Sequence, residues 1–202
     1  MAPSVTLEFG HIRRMTDSRF PHEVAVIMPG QYFISETPMV VYTILGSCIS
    51  VCIRDILLKI GGMNHFMLAQ PTGDPADDHW GTSARYGSYA MEVLLNELYK
   101  RGANKNRLEV KIFGGGKIYQ GPNDVGARNL AWVLEYLGRE GLQPIKGDVG
   151  NTCPRKVYFF TDSGRVLLKR LDSVQGQDVV KDEQAYQSTI TAAPISGEVT
   201  LF

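Results

Sequence analysis

Cys48 and His65 lie in one stretch, residues 43–68, reading TILGSCISVCIRDILLKIGGMNHFML. A thiolate attacks carbonyl carbon, and an imidazole nearby promotes its formation, so such a pair serves acyl transfer through a covalent intermediate. Leu45-Gly46-Ser47 runs directly into the sulfur. A glycine there lets backbone N–H groups approach a substrate closely, as an oxyanion site requires. The same pair also fits a buried structural cysteine beside a satisfied core histidine, because free cysteine is among the most buried residue types. Spacing alone leaves both readings open.

The elements that must position the pair are two strands. Residues 49–54 are rich in β-branched side chains and end at Asp55; residues 59–68 form a second apolar run containing Gly61 and Gly62. Two such runs a few residues apart predict a β-hairpin. With Ile56 and Leu57 as a tight turn, Asp55 faces Leu58, Ile53 faces Ile60 and Cys48 faces His65, with Cβ atoms roughly 4.5–5.5 Å apart. Ile-Leu is poor turn chemistry. A longer loop can keep that register, whereas a one-residue slip turns the two side chains to opposite faces.

Around this hairpin the chain reads as strands first and helices later. Residues 24–28, 31–35 and 39–45 predict strands, with Pro29-Gly30 between the first two. Residues 69–82 are a loop rich in proline, glycine and aspartate, with His79 and Trp80 as candidate substrate contacts. Ser83 is the expected cap of a helix running to about Arg101, with Tyr86, Tyr89, Ala90, Val93, Leu94 and Leu98 as its apolar stripe. Residues 108–113 predict a buried strand ending in Gly114-Gly115-Gly116, which suits a close backbone approach or a bulge. The sequence has neither a GxxxxGK[ST] nor a GxGxxG phosphate motif. Residues 124–140 predict the second helix, with Val125, Leu130, Val133, Leu134 and Leu137 inward; residues 143–149, 156–161 and 166–171 predict strands. Gly150 to Arg155 is a polar loop able to line the site.

Composition narrows the function classes. Lysine plus arginine and aspartate plus glutamate both count 21, so the formal charge is zero and there is no electrostatic footprint for nucleic acid. Three cysteines, an odd number, without a secretory segment or a long apolar run, point to a reducing cytoplasm and no membrane insertion. No CxxC and no close histidine pair supports a metal site, and no cofactor is expected. At 202 residues the chain can bury one core. The late strands are joined by turns too short for parallel crossovers, so the expected fold is α/β: a layered sandwich of mixed or antiparallel β-sheets with two main helices on one side. Residues 1–27 read as a loosely packed N-terminal extension, 28–172 as the domain, and 173–202 as a C-terminal tail of no strong period.

The segments LGSC, VCIRD and GGMNHFML, followed by RYGSYAMEVLLNEL, KIFGGG, GARN and then GDVGN ahead of a basic residue, resemble the CheD family, the chemoreceptor glutamine deamidases of bacterial chemotaxis. The resemblance covers residues 28–172 in the family's order. It implies a catalytic cysteine, histidine and threonine, matched here by Cys48, His65 and Thr43. Gly46, Ser47 and Asn64 are the candidate substrate-binding and oxyanion residues beside them. Arg85 and Tyr86 are placed near the site. Thr43 stands at an odd offset from Cys48, so an unbroken strand would turn the two to opposite faces, and a kink at Gly46 has to rejoin them. The implied activity is hydrolysis of particular receptor glutamines to glutamate with release of ammonia, with glutamyl methyl esters as further substrates. The implied partners are the cytoplasmic helical region of chemoreceptors and a CheC-type phosphatase. A non-enzymatic adaptor, or another cysteine peptidase or acyl transferase, are the alternatives.

Overall fold

The computed structural model describes residues 9–68, 81–119, 124–172 and 176–192. Among them, ten strands form two mixed five-stranded sheets. The first sheet has the order β1 (Arg13–Met15), β2 (Val24–Val26), β4 (Val40–Leu45), β9 (Arg155–Phe160), β10 (Val166–Arg170). The second has the order β3 (Tyr32–Ser35), β6 (Gly61–Asn64), β5 (Ile49–Asp55), β7 (Leu108–Gly114), β8 (Pro144–Val149). β2 pairs with β4 and β7 with β8 in parallel; the other pairings are antiparallel. The β7–β8 crossover is made by α2 (Val125–Arg139), as a parallel connection requires. Val41, Val157 and Phe159 of the first sheet share one core with Ile34, Val51 and Ile53 of the second. α1 (Gly81–Lys100) lies against β3 and β6, and α2 against α1 and β5, which gives the sheet–sheet–helix layering expected from the sequence.

The hairpin forms with a different register. Cys52 pairs with Met63, Ile53 with Gly62 and Arg54 with Gly61, and Ile49 bridges Phe66. The connection is a four-residue loop instead of the tight turn, closed by Lys59 N–H donating to Asp55 O at 2.9 Å. The cause is Asp55: its buried carboxylate accepts from Leu57 and Leu58 N–H and from the Arg107 guanidinium, while Lys59 takes the left-handed φ of 57° that Ile or Leu would resist. The shift from the expected register is two residues. An even slip preserves which face each side chain occupies, so Cys48 and His65 remain on the same side.

Other expectations change at element ends. α1 begins at Gly81, ahead of Ser83. On α2, Asp124 caps by accepting from Ala127 N–H at 2.9 Å, but Leu134 is exposed and Trp132 takes the inward place. Part of the N-terminal segment is packed: Phe9 is buried against Tyr32 and Phe33, and Phe20 covers Tyr158 and Phe160. The C-terminal segment, expected to lack a period, forms α3 (Gln177–Ala192). Val179, Glu183, Tyr186 and Ile190 fall on one stripe at helical spacing, and Val179, Glu183 and Ile190 are buried. His79 and Trp80 lie outside the described residues, as do the last ten residues.

Candidate active site

β4 ends in the first sheet at Leu45 and β5 begins in the second at Ile49, so Gly46-Ser47-Cys48 is the step between them. All three carbonyls of this step are held from one side. Gly116 N–H donates to Gly46 O at 2.7 Å and Gly115 N–H to Cys48 O at 2.8 Å. Asn129 Nδ2 of α2 donates to Ser47 O at 2.8 Å, while its Oδ1 accepts from Leu68 N–H at 3.1 Å. With the carbonyls fixed, the N–H groups of residues 46–48 turn together to the opposite side. The three glycines after β7 are needed for this approach: Gly114 has φ 107°, and a Cβ on it would lie 2.0 Å from Cys48 O.

The step between sheets also settles the position of Thr43. Because the chain leaves the first sheet after Leu45, the parity argument for an unbroken strand does not apply, and the Thr43 side chain meets His65. Thr43 Oγ1 lies 2.7 Å from His65 Nδ1 and donates to Ile27 O at 2.8 Å. A hydroxyl has one proton. With that proton on Ile27 O, Oγ1 accepts from Nδ1–H, which leaves Nε2 as the basic nitrogen. Nε2 is buried and has no hydrogen-bond partner among the described residues. A cavity of about 140 Å³ borders Thr43, His65 and Glu183, large enough to hold water.

A sulfur from Cys48, a ring nitrogen of His65 and a carboxylate oxygen of Glu183 all lie within 4.8 Å of one another, and all three residues are buried. Glu183 comes from α3. Its Oε1 accepts from Gly46 N–H at 2.8 Å and Cys48 N–H at 3.2 Å. Its Oε2 accepts from Ser47 N–H at 2.8 Å, from Ser47 Oγ at 2.6 Å and from the Tyr119 hydroxyl at 3.3 Å. These donor types could by kind form a metal cluster, but both carboxylate oxygens are already saturated by N–H and O–H donors.

Burial dominates the electrostatics. It pushes the Cys48 thiol well above its ordinary range, and the Glu183 charge and hydrogen bond add to that. Burial lowers His65 to about 3. Thiol and imidazole are therefore both neutral in this arrangement. Burial also raises Cys52, inside β5. Cys153 is the most exposed of the three free thiols.

The structure thus brings Cys48, His65, Thr43, Gly46 and Ser47 into one group. It does not bring Asn64 there. Asn64 Oδ1 accepts from Val51 N–H at 2.9 Å and its Nδ2 donates to Ala90 O at 3.0 Å, so its side chain ties β5 to α1. Tyr86 donates to Ile190 O of α3 at 3.2 Å; the side chain of Arg85 lies outside the described residues. Sequence reasoning missed Asn129 and Glu183. Asn129 stood in the GARN segment, where a polar residue interrupts the inward face of α2. Glu183 was legible only through the spacing of Val179, Tyr186 and Ile190.

A family model described as CheD chemotactic sensory transduction matches residues 67–170. A relative named probable chemoreceptor glutamine deamidase CheD, from Thiobacillus denitrificans, is 46% identical over 188 residues, covering 92% of this chain and 93% of its own. Relatives with the same name from Halorhodospira halophila and Stenotrophomonas maltophilia (strain K279a) are 43% and 42% identical, covering 96% and 98% of this chain and 91% and 99% of theirs. Matches of this identity, running through the Gly46–Cys48 step, β5 and β6 as well as the later elements, mean that the chain belongs to the CheD family.

Proposed function

We propose that this chain is a cysteine-dependent deamidase that hydrolyses side-chain amides of glutamines on the cytoplasmic helical region of chemoreceptors. The names of its relatives support the reaction and the substrate. The observation that carries the reading is the cradle itself: the N–H groups of Gly46, Ser47 and Cys48 converge on a side-chain carboxyl group beside Sγ and His65. Donors arranged in this way stabilise the oxygen on which charge develops during acyl transfer.

In the mechanism, a receptor glutamine enters with its carbonyl oxygen toward Gly46 and Cys48 N–H. His65 Nε2 takes the thiol proton, and Sγ attacks the carboxamide carbon. The tetrahedral intermediate collapses as His65 returns the proton to nitrogen; the C–N bond breaks and ammonia leaves. Water, activated by the same nitrogen, then cleaves the thioester and leaves glutamate on the receptor. Thr43 holds the imidazole with Nδ1 protonated, which keeps Nε2 basic. A glutamyl methyl ester passes through the same thioester with methanol as leaving group. A CheC-type phosphatase is the second partner in this reading, and the three free thiols suit a cytoplasmic setting.

The test is incubation with the cytoplasmic part of a cognate receptor, followed by peptide mapping. Deamidation adds about one dalton at a glutamine and leaves the chain uncut, whereas a peptidase cuts it and a transglutaminase joins an amine. Unmodified glutamines after exhaustive incubation, or a cut chain, would refute the proposal.

A further inference from the structure

α3 belongs to neither sheet, yet it delivers a deeply engaged carboxylate to the site. Glu183 is 2% exposed and receives five hydrogen bonds, four of them from the Gly46–Cys48 step. A buried carboxylate is costly unless its oxygens are this fully satisfied. Chemically the group is a glutamate side chain presented from a helix, which is what hydrolysis of a helical glutamine leaves in the cradle. The rest of the stripe closes the site around it. Val179 and Ile190 are buried on either side of Glu183 along the helix, and Tyr86 donates to the Ile190 carbonyl. The Tyr186 hydroxyl lies 2.7 Å from where a Cβ on Gly30 would sit, so Gly30 leaves room for it. The tether is short: α3 begins a few residues after β10, with Gly176 N–H donating to Asp172 O at 3.0 Å. A short tether gives α3 a high effective concentration at the site.

We propose that α3 is a built-in product mimic, which seats Glu183 in the cradle and closes the site against receptor until a receptor helix displaces it. This rests on the deamidase reading above, and it adds a self-regulating function to the C-terminal segment. The closed form is catalytically silent for two reasons: the substrate position is filled, and Cys48 and His65 are buried away from receptor. Displacement of α3 removes the carboxylate charge from beside the thiol and admits water and substrate together.

The proposal is tested in the full chain without any receptor, by alkylating with iodoacetamide at neutral pH and mapping the labelled cysteines. In the unaltered protein Cys153 should label first and Cys48 slowly. Glu183→Ala should raise the Cys48 rate on the order of tenfold or more, with Cys153 unchanged, because occupancy of the closed state falls with lost hydrogen bonds. Cys52, buried in β5, reports unfolding; should Glu183→Ala expose it, Ile190→Ala, which loosens the seating of α3 away from the cradle, is used in its place. Equal Cys48 rates in the unaltered and variant proteins overturn the closure. Glu183→Gln also tests the mimicry, since it puts the substrate's own group in the cradle. Sγ–C bond formation, loss of ammonia and hydrolysis should convert that carboxamide to carboxylate, a gain of about one dalton that Cys48→Ala abolishes. A carboxamide that persists at position 183, in a protein that turns over receptor glutamines, overturns the product-mimic assignment while the deamidase reading stands. Failure on receptor alone overturns only that reading.

Discussion

Thr43 Oγ1 sits 2.7 Å from His65 Nδ1 while donating its own proton to Ile27 O. One hydroxyl therefore fixes the imidazole tautomer, and it does so from the neighbouring sheet. Thr43→Val removes the acceptor with little change in volume. Deamidation should fall by a factor on the order of ten to a thousand, as for other positioning groups. Thr43→Ser should recover most of the loss, and a kcat effect with KM little changed is the signature to measure. A fully active Thr43→Val would mean that another acceptor orients the ring.

Asn129 supports the cradle from behind through Ser47 O and Leu68 N–H. Asn129→Ala leaves both buried groups without a partner, at a cost of about 1–3 kcal/mol for each. Urea denaturation should show the lowered midpoint. Because the Ser47 peptide is then free to rotate, kcat should fall further than stability explains at temperatures where the variant is fully folded.

Gly114→Ala places a Cβ about where Cys48 O already is, on a backbone with φ 107°. The peptide of Cys48 must move or β7 must part from β5. A loss of about 3 kcal/mol or more is expected, or no soluble protein. Gly138→Ala is the control: among the described residues nothing lies within 4 Å of its added Cβ, and the change should be neutral or slightly stabilising.

His65 also predicts how stability depends on pH. Its pKa is about 3 folded, against 6.5 for an unperturbed histidine. Between those values the unfolded chain binds the extra proton, so stability rises with pH there and falls on acidification below about 6.5. The slope from this one group approaches ~1.4 kcal/mol per pH unit. Asp55, held below its ordinary range by Arg107 and backbone N–H donors despite its burial, loses its contribution only at lower pH. Urea midpoints from about pH 7 to pH 5 should therefore drop for the unaltered protein and flatten for His65→Asn. Parallel curves would show that the histidine is not neutral in the folded state.

How much of this was legible in the sequence depended on whether local pattern or tertiary crossing decided the outcome. The strands and the first two helices follow from period and caps: Asp124 does cap α2, and the glycines after β7 do mark a close backbone approach. The hairpin register did not, because the loop is set by Asp55 reaching Arg107, a long-range ion pair that no local turn rule contains. Thr43 could not be placed by strand parity because the chain changes sheets at Gly46. Asn64, expected in the oxyanion set, sits next to His65 in the chain, but neighbouring strand residues face opposite sides, and its amide serves the core. α3 was hidden because a short apolar stripe broken by a glutamate reads as weak; the glutamate is the part that binds.

The central claim is that Cys48 forms the acyl intermediate with a receptor glutamine. It is tested most directly by measuring ammonia release from a receptor cytoplasmic fragment with the unaltered chain and with Cys48→Ala, alongside a binding measurement. Ammonia release should vanish in Cys48→Ala, since the thiol beside His65 is then gone, while receptor binding stays close to normal because its affinity rests on other anchors. Ammonia released by Cys48→Ala at the normal rate would contradict the account.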